Sequence, residues 1–310
     1  MSAILFVVAL LFVFYVFAIL KPGHAYAEKV RRPAVAGSFY PGSSSELTAA
    51  VDKYLAAAEK KELQGELIAL IAPHAGYVYS GHVAAHAYKQ LQGKTIDTVV
   101  LIGPSHRYPV RGAAVYDSGA FQTPLGTVEI DEKLASELIE QEWRITSAPE
   151  VHADEHCLEV HLPFLQRALQ DFKIVPILMY DFSDANCKML SQTLSSCLNG
   201  KNALLVASTD LCHYPSYEEA KKADSVVVSA ISKFDPDLLR KDTDEYMRRP
   251  IRNLHCMLCG TGAVITVMQA AKTLGANAVE ILKYANSGDV PFGDKSQVVG
   301  YLAAAIYKKI

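Results

Sequence analysis

Four short runs, residues 67–72, 98–102, 173–179 and 203–208, are almost wholly apolar and lack the polar–apolar alternation of a half-exposed strand. Strands of this kind belong in sheets covered on both faces. The segments between them carry helical spacing, as where Leu47, Val51, Tyr54 and Leu55 recur at i, i+4, i+7 and i+8 behind the capping residues Ser43, Ser44 and Ser45. That pattern predicts a helix reaching about residue 63, and further helices over 81–91, 132–141, 160–171, 184–198, 217–233, 236–241 and 262–274. Shorter strands are expected at 113–116 and 126–130, and closing strands at 279–286 and 298–305. No composition break or low-complexity linker interrupts residues 30–310. The expected fold is therefore one α/β domain with a central mixed sheet flanked by helices.

Three of the apolar runs lead into histidines: His74 after Pro73, His106 after Gly103-Pro104-Ser105, and His213 after Ser208-Thr209-Asp210-Leu211-Cys212. In open α/β sheets, ligands bind beyond the carboxyl ends of the strands, so these side chains are expected to share one crevice. His74 and His106 can each bind a cation through a neutral ring nitrogen, or simply satisfy a turn. Asp210 and His213 can orient each other for proton transfer, or serve as a loop cap and a surface imidazole.

Cys259 precedes an expected helix. A helix N-terminus lowers a thiol pKa and improves it as a ligand, whereas burial leaves it inert. Cys256 and Cys259 form one Cys-x-x-Cys unit, without the second unit of a structural zinc site. Between 152 and 161, His152, Asp154, Glu155, His156, Glu159 and His161 crowd ahead of Pro163. They are either a supporting wall of the crevice or a solvated helix start. His82 and His86, four apart in an Ala-rich helix, read as solvent or core contacts.

Half the residues are hydrophobic and the formal charge is −3, which gives no electrostatic case for nucleic acid. The six cysteines are too sparse for a disulfide scaffold and are expected to be free thiols. No glycine-rich nucleotide loop and no Gly-x-Ser-x-Gly elbow is present. A small molecule or a peptide is the expected partner.

Residues 3–20 are apolar and uncharged, within the ~17 to 25 residues of a spanning helix. Ala25-Tyr26-Ala27 before Glu28 matches a cleavage site, so residues 1–27 read as a signal peptide of an exported protein. Lys21, Lys29, Arg31 and Arg32 all follow the apolar run, which reads equally as a retained membrane anchor with the domain on the cytoplasmic face. In both readings residues 28–310 form the folded domain.

The motifs Ala72-Pro73-His74-Ala75-Gly76-Tyr77, Gly103-Pro104-Ser105-His106, Glu155-His156-Cys157-Leu158-Glu159-Val160-His161-Leu162-Pro163, Ser208-Thr209-Asp210-Leu211-Cys212-His213 and Leu258-Cys259-Gly260 occur in order. Together they resemble the Memo family, whose bacterial and archaeal members are called AmmeMemoRadiSam system protein B. The resemblance implies a fold like that of class III extradiol dioxygenases, which use non-haem Fe(II). It also implies a metal site of His74, His106 and Cys259, with Asp210 and His213 in the same pocket and His213 as the acid/base. Those dioxygenases complete their site with a carboxylate, where this chain offers a thiol. A His-His-Cys set expected to hold Fe(II) also admits Cu(I) or zinc. Oxygen-dependent oxidoreduction and metal holding without turnover both follow from the resemblance.

Overall fold

The computed structural model describes residues 30–310. From the N-terminus the elements are β1 (Val30–Arg31), α1 (Ser44–Ala57), β2 (Gly65–Ala72), α2 (Tyr77–Lys89), β3 (Thr98–Pro104), β4 (Ala113–Val115), β5 (Ala120–Thr123) and β6 (Gly126–Glu129). There follow α3 (Glu132–Gln141), β7 (Ile145–Ser147), α4 (Pro149–His152), a 3-10 turn (Glu159–His161), α5 (Leu162–Ala168), β8 (Lys173–Met179) and α6 (Asp184–Leu198). The chain ends with β9 (Ala203–Ser208), α7 (Tyr217–Ser232), α8 (Pro236–Met247), α9 (Thr261–Thr273), β10 (Ala278–Asn286) and β11 (Gly300–Lys309).

The predicted central sheet is present, eight-stranded and mixed, in the order β10-β11-β2-β9-β3-β8-β4-β7. Its middle strands β2, β9, β3 and β8 run parallel, and β11 and β4 join antiparallel on either side. A small second sheet has the order β1-β5-β6. The four apolar runs lie at the centre of the larger sheet because β2, β3, β8 and β9 are buried along almost their whole length. Helices α1, α2 and α5 pack on one another in one layer, and α3, α6 and α9 in another, with β2 touched by both α2 and α9.

Register sets the site. Ala72 pairs with Ser208, and Ile102 with Ala207, so the carboxyl ends of β2, β9 and β3 lie level. Residues a few positions beyond those ends are forced to one edge of the sheet.

The structure differs from the expected elements in a few places, each for a local reason. Helix α1 is capped by Ser43 as predicted but stops at Ala57, because Glu59-Lys60-Lys61-Glu62 offers no apolar residue to bury. Helix α2 begins at Tyr77, four residues early, where the ring is buried and its hydroxyl donates to Val160 O at 2.7 Å. Helix α8 continues to Met247 because Leu239, Thr243 and Tyr246 bury one face. Strands β1, β5 and β7 are too short to leave a period in the sequence. All six cysteines are free.

Among the described residues no helix is long and apolar enough to cross a membrane. The apolar segment 3–20 and the cleavage pattern at Ala27 lie outside the described residues.

Candidate metal centre

His74 lies two residues beyond β2 and is buried. Its backbone N–H donates to Asp210 Oδ1 at 2.8 Å, and its Nδ1 stands 2.8 Å from Ser208 Oγ. The Ser208 hydroxyl has one proton, and it goes to Cys157 O at 2.8 Å. The bond to His74 must therefore use Nδ1–H, which leaves the Nε2 lone pair for a ligand. Burial, followed by the neighbouring His106 and His156 rings, holds the His74 pKa well below the usual imidazole value, so the ring is neutral. Neutral imidazole is the metal-binding form.

His106, beyond β3, is fixed by Glu155. Oε2 of Glu155 accepts from the His106 backbone N–H at 2.7 Å, and Oε1 lies 3.0 Å from His106 Nδ1. The same Oε1 accepts from the backbone N–H groups of His156 and Cys157 and lies 3.2 Å from His156 Nδ1. Burial opposes ionisation of Glu155, but the hydrogen bonds from His106 and His156 outweigh it and hold the carboxyl well below the usual carboxylate range. An ionised carboxylate only accepts, so the His106 ring carries a proton on Nδ1 and its Nε2 is left for a ligand.

The dense cluster ahead of Pro163 thus divides, and it is not a solvated helix start. Arg31 donates to His152 O, Glu155 O and Glu159 Oε2, while Glu159 also accepts from Ala34 N, Val35 N and the Tyr40 hydroxyl. This buried knot clamps the segment from His152 to Glu159 against the N-terminal arm. His152 and His161 bond to Ala114 O and the Tyr88 hydroxyl, and burial lowers each to about 3. They are core histidines. Of the histidines in this segment His156 joins the site, beside Glu155. Gly103 permits this seating, since a Cβ there would come within 2.7 Å of Cys157 Sγ.

Cys259 sits just before α9, and its Sγ lies 3.2 Å from His74 Nε2. Gly260 lets the segment press against β9, because a Cβ there would fall 2.3 Å from Ser208 O. The helix N-terminus does not lower this thiol. Burial, then the nearby Asp210, pushes Cys259 well above the ordinary value, so without a cation it is a neutral thiol facing the His74 lone pair. One ring nitrogen each of His74, His106 and His156 lies within 4.8 Å of the others, a group that does not include Cys259.

Asp210 is buried two residues beyond β9, with Oδ2 4.0 Å from His74 Nε2. Burial raises it to about 7 against the opposing hydrogen bonds from His74 and Ala75, so it can hold or release a proton near neutrality. His213 is lowered to about 4, chiefly by burial, and its Nε2 has no hydrogen-bond partner among the described residues. Asp210 and His213 both line a cleft of about 510 Å³ with His156, Tyr79, Tyr214 and Phe292. A second, smaller cleft, about 290 Å³, reaches the cluster from the side of His106, Cys259, Met179 and Phe182. The larger cavity between Lys94 and Asn199 contains no imidazole or thiol.

Four of the five residues that the sequence singled out, His74, His106, Asp210 and Cys259, meet within one cluster, and His213 faces the adjoining cleft. Glu155, His156 and Ser208 are brought into it as well.

Imidazoles, a thiol and a protonatable carboxyl gathered at the carboxyl edge of a helix-flanked mixed sheet define an α/β protein with a candidate mononuclear metal centre. The sequence model of the family described as Memo-like protein matches residues 31–305, and the chain belongs to that family. It is 36% identical over 285 residues to a MEMO1 family protein of Methanothermobacter thermautotrophicus, covering 88% of this chain and 98% of that one. A MEMO1 family protein of Aquifex aeolicus is 36% identical over 277 residues, covering 88% and 98%, and one of Methanocaldococcus jannaschii is 38% identical over 300 residues, covering 90% and 99%. A solved structure of an uncharacterised protein from Escherichia coli K12 is similar over 76% of this chain and 99% of that chain, with a TM-score of 0.46 and 15% identity. That likeness is too distant to argue from.

Proposed function

We propose that this chain is a metal-binding protein in which His74, His106 and Cys259 hold one non-haem ion, Fe(II) in the first instance, for an oxidoreductase reaction on a small molecule. The observation that carries the reading is the hydrogen-bonded state of the two rings. Ser208 and Glu155 occupy the Nδ1 atoms of His74 and His106 and leave both Nε2 lone pairs in the cluster. Imidazoles fixed in this way are what a metal site needs, and they cost nothing further to orient. The donor set of imidazole and thiol fits iron, copper or zinc.

When bound, the ion supplies redox or Lewis-acid chemistry. The residues around it bind, orient and move protons. Ser208 and Glu155 keep the rings in one tautomer. Cys259 gives up its thiol proton on ligation, and the Asp210 carboxyl, with Oδ2 4.0 Å from His74 Nε2, is placed to exchange protons with the site. His213, which lines the cleft and whose Nε2 has no hydrogen-bond partner among the described residues, is the group that takes a proton from a molecule bound there.

Anaerobic reconstitution with Fe(II), Cu(I) or Zn(II), followed by metal analysis and oxygen-uptake assays, tests the reading. The parent is expected to retain about one ion per chain, and His74→Ala and Cys259→Ser much less. Equal metal content in all three would end it. A second reading, a pocket that binds a small molecule or peptide without turnover, is favoured by the exposed aromatic rings of Tyr79, Tyr214 and Phe292 around the cleft. Stoichiometric metal with no oxygen uptake would move the balance to it.

A further inference from the structure

We propose that His156 is a third imidazole ligand, so that the ion is held by His74, His106 and His156 with Cys259 as the fourth donor. The inference rests on the metal-binding reading and adds a residue to it. Two ligand atoms at ~2.0 to 2.3 Å from one ion stand roughly 3 to 4 Å apart. The nitrogens of His74, His106 and His156, within 4.8 Å of one another, need only a small inward movement to reach that spacing.

The orientation of His156 supports the same role. Its Nδ1 lies 3.2 Å from the Glu155 oxygen that accepts from His106 Nδ1. The two rings lie nearly parallel, 24° apart with centroids at 4.8 Å, and one nitrogen of each comes within 4.8 Å of a His74 nitrogen. His74 stands edge-on to both, at 81° and 86°. The contact of His156 with Phe39, centroids 4.9 Å apart, accounts for where the ring lies but not for a nitrogen turned toward those of His74 and His106.

Three neutral imidazoles and one thiolate make a harder donor set than two imidazoles and a thiolate. Such a set favours borderline divalent ions over Cu(I), which prefers sulfur. With Cys259 facing the smaller cleft and His156 the larger, the ion would sit at the partition between them.

The full chain, freed of metal, is titrated anaerobically with Co(II), and Zn(II) affinity is measured by competition with a chelator. The visible bands of Co(II) report coordination, and the near-ultraviolet sulfur-to-cobalt band reports Cys259. His156→Ala is expected to lower Zn(II) affinity about tenfold or more, at least the loss seen when a group that only orients a ligand is removed. The sulfur band should remain while the visible bands change. His156→Phe keeps an aromatic ring against Phe39 and His106 but has no donor, and it should bind as weakly as the alanine variant. If both variants bind Zn(II) and Co(II) as the parent does while His74→Ala and His106→Ala do not, the inference is overturned and the metal-binding reading stands. If His74→Ala, His106→Ala and Cys259→Ser all bind as the parent does, the metal-binding reading itself fails.

Discussion

Ser208 Oγ stands 2.8 Å from His74 Nδ1 and, with its own proton committed to a backbone carbonyl, can only accept from that ring. This one bond decides which nitrogen of His74 faces the centre. It couples β9 to the end of β2, strands whose register places Ser208 beside Ala72.

Ser208→Ala removes the tautomer lock without touching any ligand. Zn(II) affinity should fall ~10- to 100-fold, as is usual for losing a group that orients a metal-binding histidine. Stability should fall by about 1 to 3 kcal/mol, because Cys157 O loses its buried donor. A chelator competition and a urea melt on the metal-free protein check the two effects separately. Unchanged affinity would mean that the ring is held by packing alone.

Glu155→Gln keeps the shape and removes one acceptor. The carboxylate accepts from the backbone N–H of His106 through Oε2, and from His106 Nδ1, His156 N and Cys157 N through Oε1. In either amide orientation an NH₂ group must face a donor. We expect a loss of about 1 to 3 kcal/mol in stability, and a weakening of metal binding of the same order as that of Ser208→Ala, because the His106 imidazole loses its anchor. Nitrogen-15 spectra of the imidazoles, which distinguish the two tautomers, should show a mixture at His106.

The arm and the site are joined by a buried ion pair. Arg31 Nη1 meets Glu159 Oε2 at 2.7 Å with both side chains almost fully enclosed, and Glu159 accepts three further bonds from the arm. Arg31→Ala leaves that carboxylate buried without its cation, which costs about 3 to 5 kcal/mol. The double variant Arg31→Met with Glu159→Leu should recover part of the loss, since no charge is then left unpaired. Denaturant midpoints of the three proteins test this, and a mild effect of Arg31→Ala alone would show that water reaches Glu159.

How far the sequence revealed these features follows from their physics. The central strands were legible because burial on both faces leaves an unbroken apolar run, and strands β8 and β9 have the expected bounds. His74, His106 and Asp210 were legible because they follow such runs, and parallel register then brings their strand ends level. The role of His156 was not. It lies in no periodic element, and its place depends on Glu155, on the clamp between Arg31 and Glu159, and on the gap at Gly103. The Cys259 pKa also runs against the local rule, because enclosure and Asp210 outweigh the helix end.

Asp224 gives the stability a pH dependence separate from the metal centre. It is buried on α7, accepts from Cys212 N at 3.0 Å and from the Tyr284 hydroxyl at 2.8 Å, and burial pushes its carboxyl up to about 6. In the unfolded chain an aspartate titrates near ~3.9. The folded state therefore binds this proton more tightly. Its contribution is fully present below the unfolded value and is lost as pH rises from about 4 to 6. Asp224→Asn keeps the shape and cannot ionise, so its stability relative to the parent should improve by about 1.4 kcal/mol between pH 5 and pH 7.5. Urea unfolding of both proteins at those two pH values measures the difference, in which the titrations of all other groups cancel. A stability difference that does not change with pH would show that Asp224 holds one protonation state across the range.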